Sequence, residues 1–132
     1  MNLLSLALDI HGVLDRSPET FVKLAWSVRY MGGKVHILTG ASISEGKIID
    51  KLMGIYSHPE FWWDELVSIQ DELVKSNAPV IGVNEFGRPM FPNDLWNGFK
   101  GRYCASHKID LAIDDSPEYI PYFTTPVLLY PR

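Results

Sequence analysis

Cysteine is almost absent from this chain. Cys104 is the only one, so no intrachain disulfide and no cysteine-built zinc cage can form. Long hydrophobic runs are missing as well. No apolar stretch approaches the ~18 residues that a membrane-spanning helix needs, which excludes a helical membrane protein. Positive charge is in short supply, with 12 Lys+Arg against 16 Asp+Glu and a net charge of −4. That argues against a large electrostatic footprint for nucleic acid. The first residues, Met1 to Leu8, are apolar but carry no basic segment, and Asp9 interrupts them. They read as a strand rather than a secretion signal, and the expected location is cytoplasmic. There is no internal repeat, low-complexity segment or linker.

What is present is the composition of a folded domain: 132 residues, 46% hydrophobic and 21% charged. This suits one domain over residues 1–132 and excludes a disordered, collagen-like or coiled-coil chain. Leu3 to Leu8 is a nearly continuous apolar run, as expected of a strand buried on both faces. Ser17-Pro18-Glu19 predicts a helix start with Ser17 as cap. Phe21, Leu24, Ala25, Val28 and Met31 continue it at helical spacing until Gly32-Gly33. Val35 to Thr39 is a second buried strand. Ser42 with Glu45 predicts a capping box for a helix near residues 43–53. Strand, helix, strand, helix at this spacing is a βαβ pattern, so the fold class is α/β with a mainly parallel sheet and a right-handed crossover.

Residues 60–76 admit two readings. Leu66, Val67 and Ile69 form a strand, or Trp62, Leu66, Ile69 and Leu73 form one helical stripe. The strand is preferred because it extends the βαβ pattern. Residues 79–93 hold three prolines and two glycines and read as an irregular loop with a small hairpin at Phe86-Gly87. Asn93 then caps a helix carrying Leu95, Trp96, Phe99 and Tyr103. Ile109 to Ile113 and Pro126 to Leu129 are the remaining strands.

Three of these strands end in polar residues: Asp9, Thr39 and the pair Asp114-Asp115. In an open parallel sheet ligands bind outside the carboxyl ends of the strands, so the three ends are expected to converge on one crevice. Two carboxylates about 4 Å apart repel by roughly 4 kcal/mol at an effective dielectric of 20. Three in one crevice call for a cation. An all-oxygen donor set favours Mg²⁺ over Zn²⁺, and Mg²⁺ beside a hydroxyl and a lysine suggests phosphate chemistry.

The segment Leu6-Ala7-Leu8-Asp9-Ile10-His11-Gly12-Val13-Leu14-Asp15 resembles the first signature of the haloacid dehalogenase-like (HAD) superfamily. His36-Ile37-Leu38-Thr39-Gly40 looks like the second, and Ile113-Asp114-Asp115-Ser116 is similar to the fourth in its paired-aspartate form. Lys100 is placed for the third, with Lys108 as a rival. The resemblance covers residues 3–130 and implies a three-layer Rossmann-like fold. It further implies a small capless Mg²⁺-dependent phosphatase, a phosphoric monoester hydrolase. Asp9 would be the nucleophile, forming an aspartyl-phosphate, and would share Mg²⁺ with the backbone carbonyl of His11, Asp114 and Asp115. Gly12, Thr39, Gly40 and Lys100 would hold the phosphoryl group, with Thr39 and Lys100 also serving catalysis.

His11 departs from the pattern, because the family's usual residue there is a second aspartate acting as acid and base. Imidazole ordinarily titrates near 6.5 and can do both jobs, but a misplaced one leaves a slow enzyme. The alternative is a catalytically impaired relative that binds a phosphorylated ligand or a protein partner. A receiver-like phosphoacceptor domain is disfavoured, because its acidic pair comes early and its acceptor Asp late. Expected substrates are phosphorylated small molecules or exposed phosphate ends, of nucleotides or nucleic acid, with no membrane partner. Trp62, Trp63, Phe86, Phe91 and Trp96 are candidates for stacking on a base, and Arg88 and Arg102 for a distal anion. Core packing and solvated surface are the competing assignments for them. His36, His58 and His107 show no zinc spacing and receive no role.

Overall fold

A computed structural model describes residues 3–55 and 62–132. Five parallel strands form the central sheet, in the order β3-β2-β1-β6-β7. They are β1 (Ser5–Asp9), β2 (Lys34–Thr39), β3 (Glu65–Ser68), β6 (Leu111–Asp114) and β7 (Val127–Leu129). The helices are α1 (Pro18–Tyr30), α2 (Ile48–Ile55), α3 (Ile69–Lys75) and α4 (Asn93–Ser106). A two-stranded antiparallel hairpin, β4 (Gly82–Val83) and β5 (Pro89–Met90), stands apart from the sheet. The α/β class with a mainly parallel sheet is as the sequence predicts. No helix among the described residues is long and apolar enough to cross a membrane.

Alternation along the strands sorts the core. Leu6 and Leu8 of β1, with Val35 and Ile37 of β2, pack against Phe21, Val22, Ala25 and Val28 of α1 and Leu52 of α2. Ala7, Leu38 and Ala112 point the other way, to Cys104 of α4 and Ile109. Asp9 keeps the parity of Ala7, and Asp114 that of Ala112. Both carboxylates therefore face α4.

Several local expectations need correction. Ser17 precedes α1 but makes no capping bond; its hydroxyl lies 2.5 Å from Tyr130 Oη, so a long-range partner takes the oxygen. Ser42 does not cap a helix at 43, since α2 begins only at Ile48. The Ile43 amide is bonded instead by Asp71 Oδ2 at 2.9 Å. Asn93 is the first residue of α4, and Pro92 holds the cap position. Residues 65–75 combine both readings of that segment. The strand ends at Ser68, whose hydroxyl accepts from the Asp71 amide at 3.1 Å and starts α3. The hairpin at Phe86-Gly87 is present, with Gly87 at φ +76° in its turn.

Candidate active site

The sheet order reverses at β1. Its sequence neighbour β2 lies on one side, and β6, more than 70 residues further on, lies on the other. A crevice opens at such a reversal, at the carboxyl ends of the two strands. Those ends carry Asp9 and Asp114. Together with Asp115 they bring three carboxylate oxygens within 4.8 Å of one another.

Lys100 joins them. Its ammonium donates to Asp9 Oδ1 at 2.9 Å and to Asp114 Oδ2 at 2.8 Å, and its side chain is 3% exposed. Burial by itself disfavours a charged lysine, but the two carboxylates outweigh it and hold the ammonium well above the usual lysine range. Burial pushes the Asp9 carboxyl up, from 3.8 to about 7; Lys100 opposes this, while Asp114 and Asp115 add to it. Lys100 is thus the lysine that meets the acidic cluster. Lys108 is exposed beyond the end of α4, before the start of β6.

Asp114 is committed, since its Oδ1 also accepts from the Ser116 amide at 3.0 Å. Asp115 Oδ2 accepts from Arg132 Nε at 3.2 Å. Asp9 Oδ2 receives no hydrogen-bond donor among the described residues. Three carboxylates against the buried Lys100 and the exposed Arg132 still leave the centre one positive charge short, and its donors are all oxygen. That chemistry fits a hard divalent cation.

The loop Ile10–Leu14 carries the chain from β1 towards α1. Gly12 has φ +85°, and a side chain there would collide with the Asp115 carboxylate. Only glycine lets that loop close over the acidic cluster. The Gly12 amide donates to Asp15 Oδ1 at 2.8 Å, and Asp15 Oδ2 lies 3.5 Å from His11 Nδ1. Asp15 thereby braces both the loop and the imidazole. In the sequence it stands only as the last residue of the segment Leu6 to Asp15, with no role of its own.

Asp9, His11, Gly40, Gln70 and Lys100 line one cleft of about 520 Å³. Gly40, not Thr39, borders it. Thr39 continues the parity of Val35 and Ile37, and its hydroxyl is fully buried with no hydrogen-bond partner among the described residues. Tyr119 shields the lysine, its ring centroid 5.4 Å from Nζ, and its hydroxyl accepts from Trp96 Nε1 at 3.0 Å. Burial raises the Tyr119 phenol above the usual range.

Of the aromatic candidates, Trp96 and Phe91 border the cleft, their rings nearly parallel with centroids 6.3 Å apart. Trp62 lies in the core with Trp63 packed against it, and Phe86 is exposed. Arg88 also lines the cleft, whereas Arg102 is tied to the carbonyls of Asp94 and Leu95. His36 Nδ1 is 2.8 Å from Tyr103 Oη on the α4 face of the sheet, and burial lowers its pKa. His58 lies outside the described residues. Comparison with protein-family models, curated proteins and solved structures finds no match for this chain.

Proposed function

We propose that this chain is a Mg²⁺-dependent phosphohydrolase of the HAD-like type, a small capless member with a three-layer Rossmann-like fold. One observation carries the reading. A buried lysine is shared between carboxylates at the ends of the two strands that flank the sheet's reversal, with a third carboxylate beside them. A structural ion pair needs no third acid; a phosphate site built around a cation does.

Asp9 is the nucleophile in this reading. Its carboxylate attacks phosphorus, the P–O bond to the leaving group breaks, and an aspartyl-phosphate forms. Lys100 holds Asp9 in place and offsets negative charge on the phosphoryl oxygens. The Gly40 amide, at the end of β2 where that strand meets the cleft, suits one of those oxygens. His11 borders the cleft two residues beyond Asp9, steadied by Asp15. It gives a proton to the leaving oxygen and then takes one from the water that hydrolyses the acyl-phosphate. Asp9, Asp115 and the His11 carbonyl would hold Mg²⁺, with Asp114 alongside, and the bound ion would supply the positive charge that the carboxylates and phosphate require.

Beryllofluoride, a mimic of an acyl-phosphate, tests the assignment of Asp9. It should bind the wild-type protein in the presence of Mg²⁺ and fail to bind Asp9→Asn. Equal binding to both proteins would remove Asp9 from the nucleophile role.

A further inference from the structure

The cleft extends well beyond the acidic cluster, and its outer part is built from features that the reaction does not use. Asn93, Trp96 and Lys100 form one stripe on α4, spaced three and four residues apart. At 1.5 Å per residue the stripe runs ~10 Å from the reacting carboxylate towards the mouth of the cleft. A bound phosphoester that fills it has a leaving group much longer than glycerol.

Gln70 supplies the second observation. It is 7% exposed and lines the cleft, with its backbone amide bonded to the Gly40 carbonyl at 3.3 Å. Its side-chain amide makes no hydrogen bond among the described residues. The residue is largely buried but its carboxamide is not sealed off, so that group is open to the cleft and available to a ligand. Opposite stands the hairpin. Asn84 Oδ1 accepts from the amides of Phe86 and Arg88 at 2.9 and 3.0 Å, which closes the turn and leaves the Asn84 NH₂ without a partner among the described residues. Met90 and Trp96 supply an apolar wall, backed by Phe91.

We propose that the cleft takes a nucleoside monophosphate, with its phosphate at Asp9 and Lys100 and its base against Trp96 and Met90, read by the amides of Gln70 and Asn84. The proposal rests on the phosphohydrolase reading and gives that site its substrate class. Carboxamides pair with the mixed donor and acceptor edge of a base, and a flat aromatic wall suits its face. Asp9 is the only carboxylate among the described residues that line the cleft, so a cationic leaving group finds no partner. Arg88 at the rim, 6.0 Å from the Phe86 ring, suits the acceptor atoms of a base. Arg88 and Lys100 are the only lysine or arginine residues lining it among the described residues, and Lys100 is already paired. A polynucleotide backbone needs a track of cations. The site therefore suits a mononucleotide better than a nucleic-acid end.

The test compares hydrolysis of nucleoside monophosphates, glycerol phosphate, glucose phosphate and p-nitrophenyl phosphate with Mg²⁺ present, alongside nucleotide binding read by tryptophan fluorescence. Wild type should favour nucleotides over glycerol phosphate by about tenfold or more in kcat/KM. Gln70→Met and Arg88→Ala, the latter at an exposed position at the cleft rim, should each raise KM for nucleotides about tenfold, the value of one lost hydrogen bond of ordinary strength. The loss should be smaller for p-nitrophenyl phosphate, which lacks the base edge that these groups would read. Equal kcat/KM for nucleotides and glycerol phosphate, or unchanged KM in both variants, would overturn the nucleotide pocket and leave the phosphatase reading intact. Saturable nucleotide binding that Gln70→Met weakens, without turnover of any phosphoester, would uphold the pocket and overturn the phosphatase reading. Neither binding nor turnover would overturn both.

Discussion

Lys100 Nζ donates to Asp9 Oδ1 at 2.9 Å across the gap between α4 and β1, and the two side chains are only 3% and 8% exposed. Removing one partner of such a pair leaves a buried charge with no counterion, at a cost of about 3–5 kcal/mol. Lys100→Met should lose stability of that order in urea unfolding, together with all turnover. A loss below ~1 kcal/mol would place the pair among weak surface bridges and contradict the burial.

Asp9 should make stability depend on pH. Burial, the largest influence, lifts its pKa from 3.8 to about 7. The unfolded carboxyl therefore gives up its proton before the folded one does. Stability from neutral Asp9 is complete below about pH 4 and is lost as the pH rises through 7. Asp9→Asn, which cannot ionise, should gain melting temperature relative to wild type between pH 4 and pH 8 in the absence of divalent ions. Millimolar Mg²⁺ should narrow that gap by favouring the ionised wild-type carboxylate. A difference that stays flat with pH would show that Asp9 ionises as freely as in the unfolded chain.

Gly12 and Gly87 have similar backbone angles, φ +85° and +76°, but different surroundings. A Cβ at Gly87 meets nothing within 4 Å, whereas one at Gly12 strikes Asp115. Gly87→Ala should cost only the backbone strain of a left-handed alanine, on the order of 1 kcal/mol. Gly12→Ala should cost more and should also weaken Mg²⁺ binding, because Asp115 must move. Calorimetric titration with Mg²⁺ and thermal melts of both variants separate the two effects. Intact Mg²⁺ binding in Gly12→Ala would mean that Asp115 is not a ligand.

His11 should decide how fast the proposed phosphate hydrolysis turns over. His11→Ala should reduce hydrolysis of alkyl phosphates by about 10²-fold or more, in the range of general acid–base catalysis. The loss should be smaller for p-nitrophenyl phosphate, whose leaving oxygen needs no proton. Asp15→Asn, which weakens the contact at 3.5 Å, should lower the alkyl rate less than His11→Ala does. Undiminished alkyl phosphate rates in His11→Ala across pH 5–8 would eliminate the acid–base role.

Much of the sheet was legible in the sequence because buried parallel strands leave nearly continuous apolar runs, such as Leu6-Ala7-Leu8 and, broken only by His36, Val35 to Leu38. The polar residues that close those runs are visible as well, so Asp9, Thr39 and Asp114 stand out, and the reversal of strand order brings Asp9 and Asp114 together. Lys100 was one of two candidates. Only the packing of α4 on the Ala7–Ala112 face of the sheet decides for it, because that face carries Asp9 and Asp114. Capping signals failed where a distant partner claimed the same group, as Tyr130 does at Ser17 and Asp71 at the Ile43 amide. Gln70 had no local signal at all. Its exposure to the cleft is set by where β3 stops, by α3 and by a hairpin arriving from residues 82–90. Local pattern determines which residues are buried and with what period; which polar groups share a crevice depends on contacts made far apart along the chain, and those exist only in the folded state.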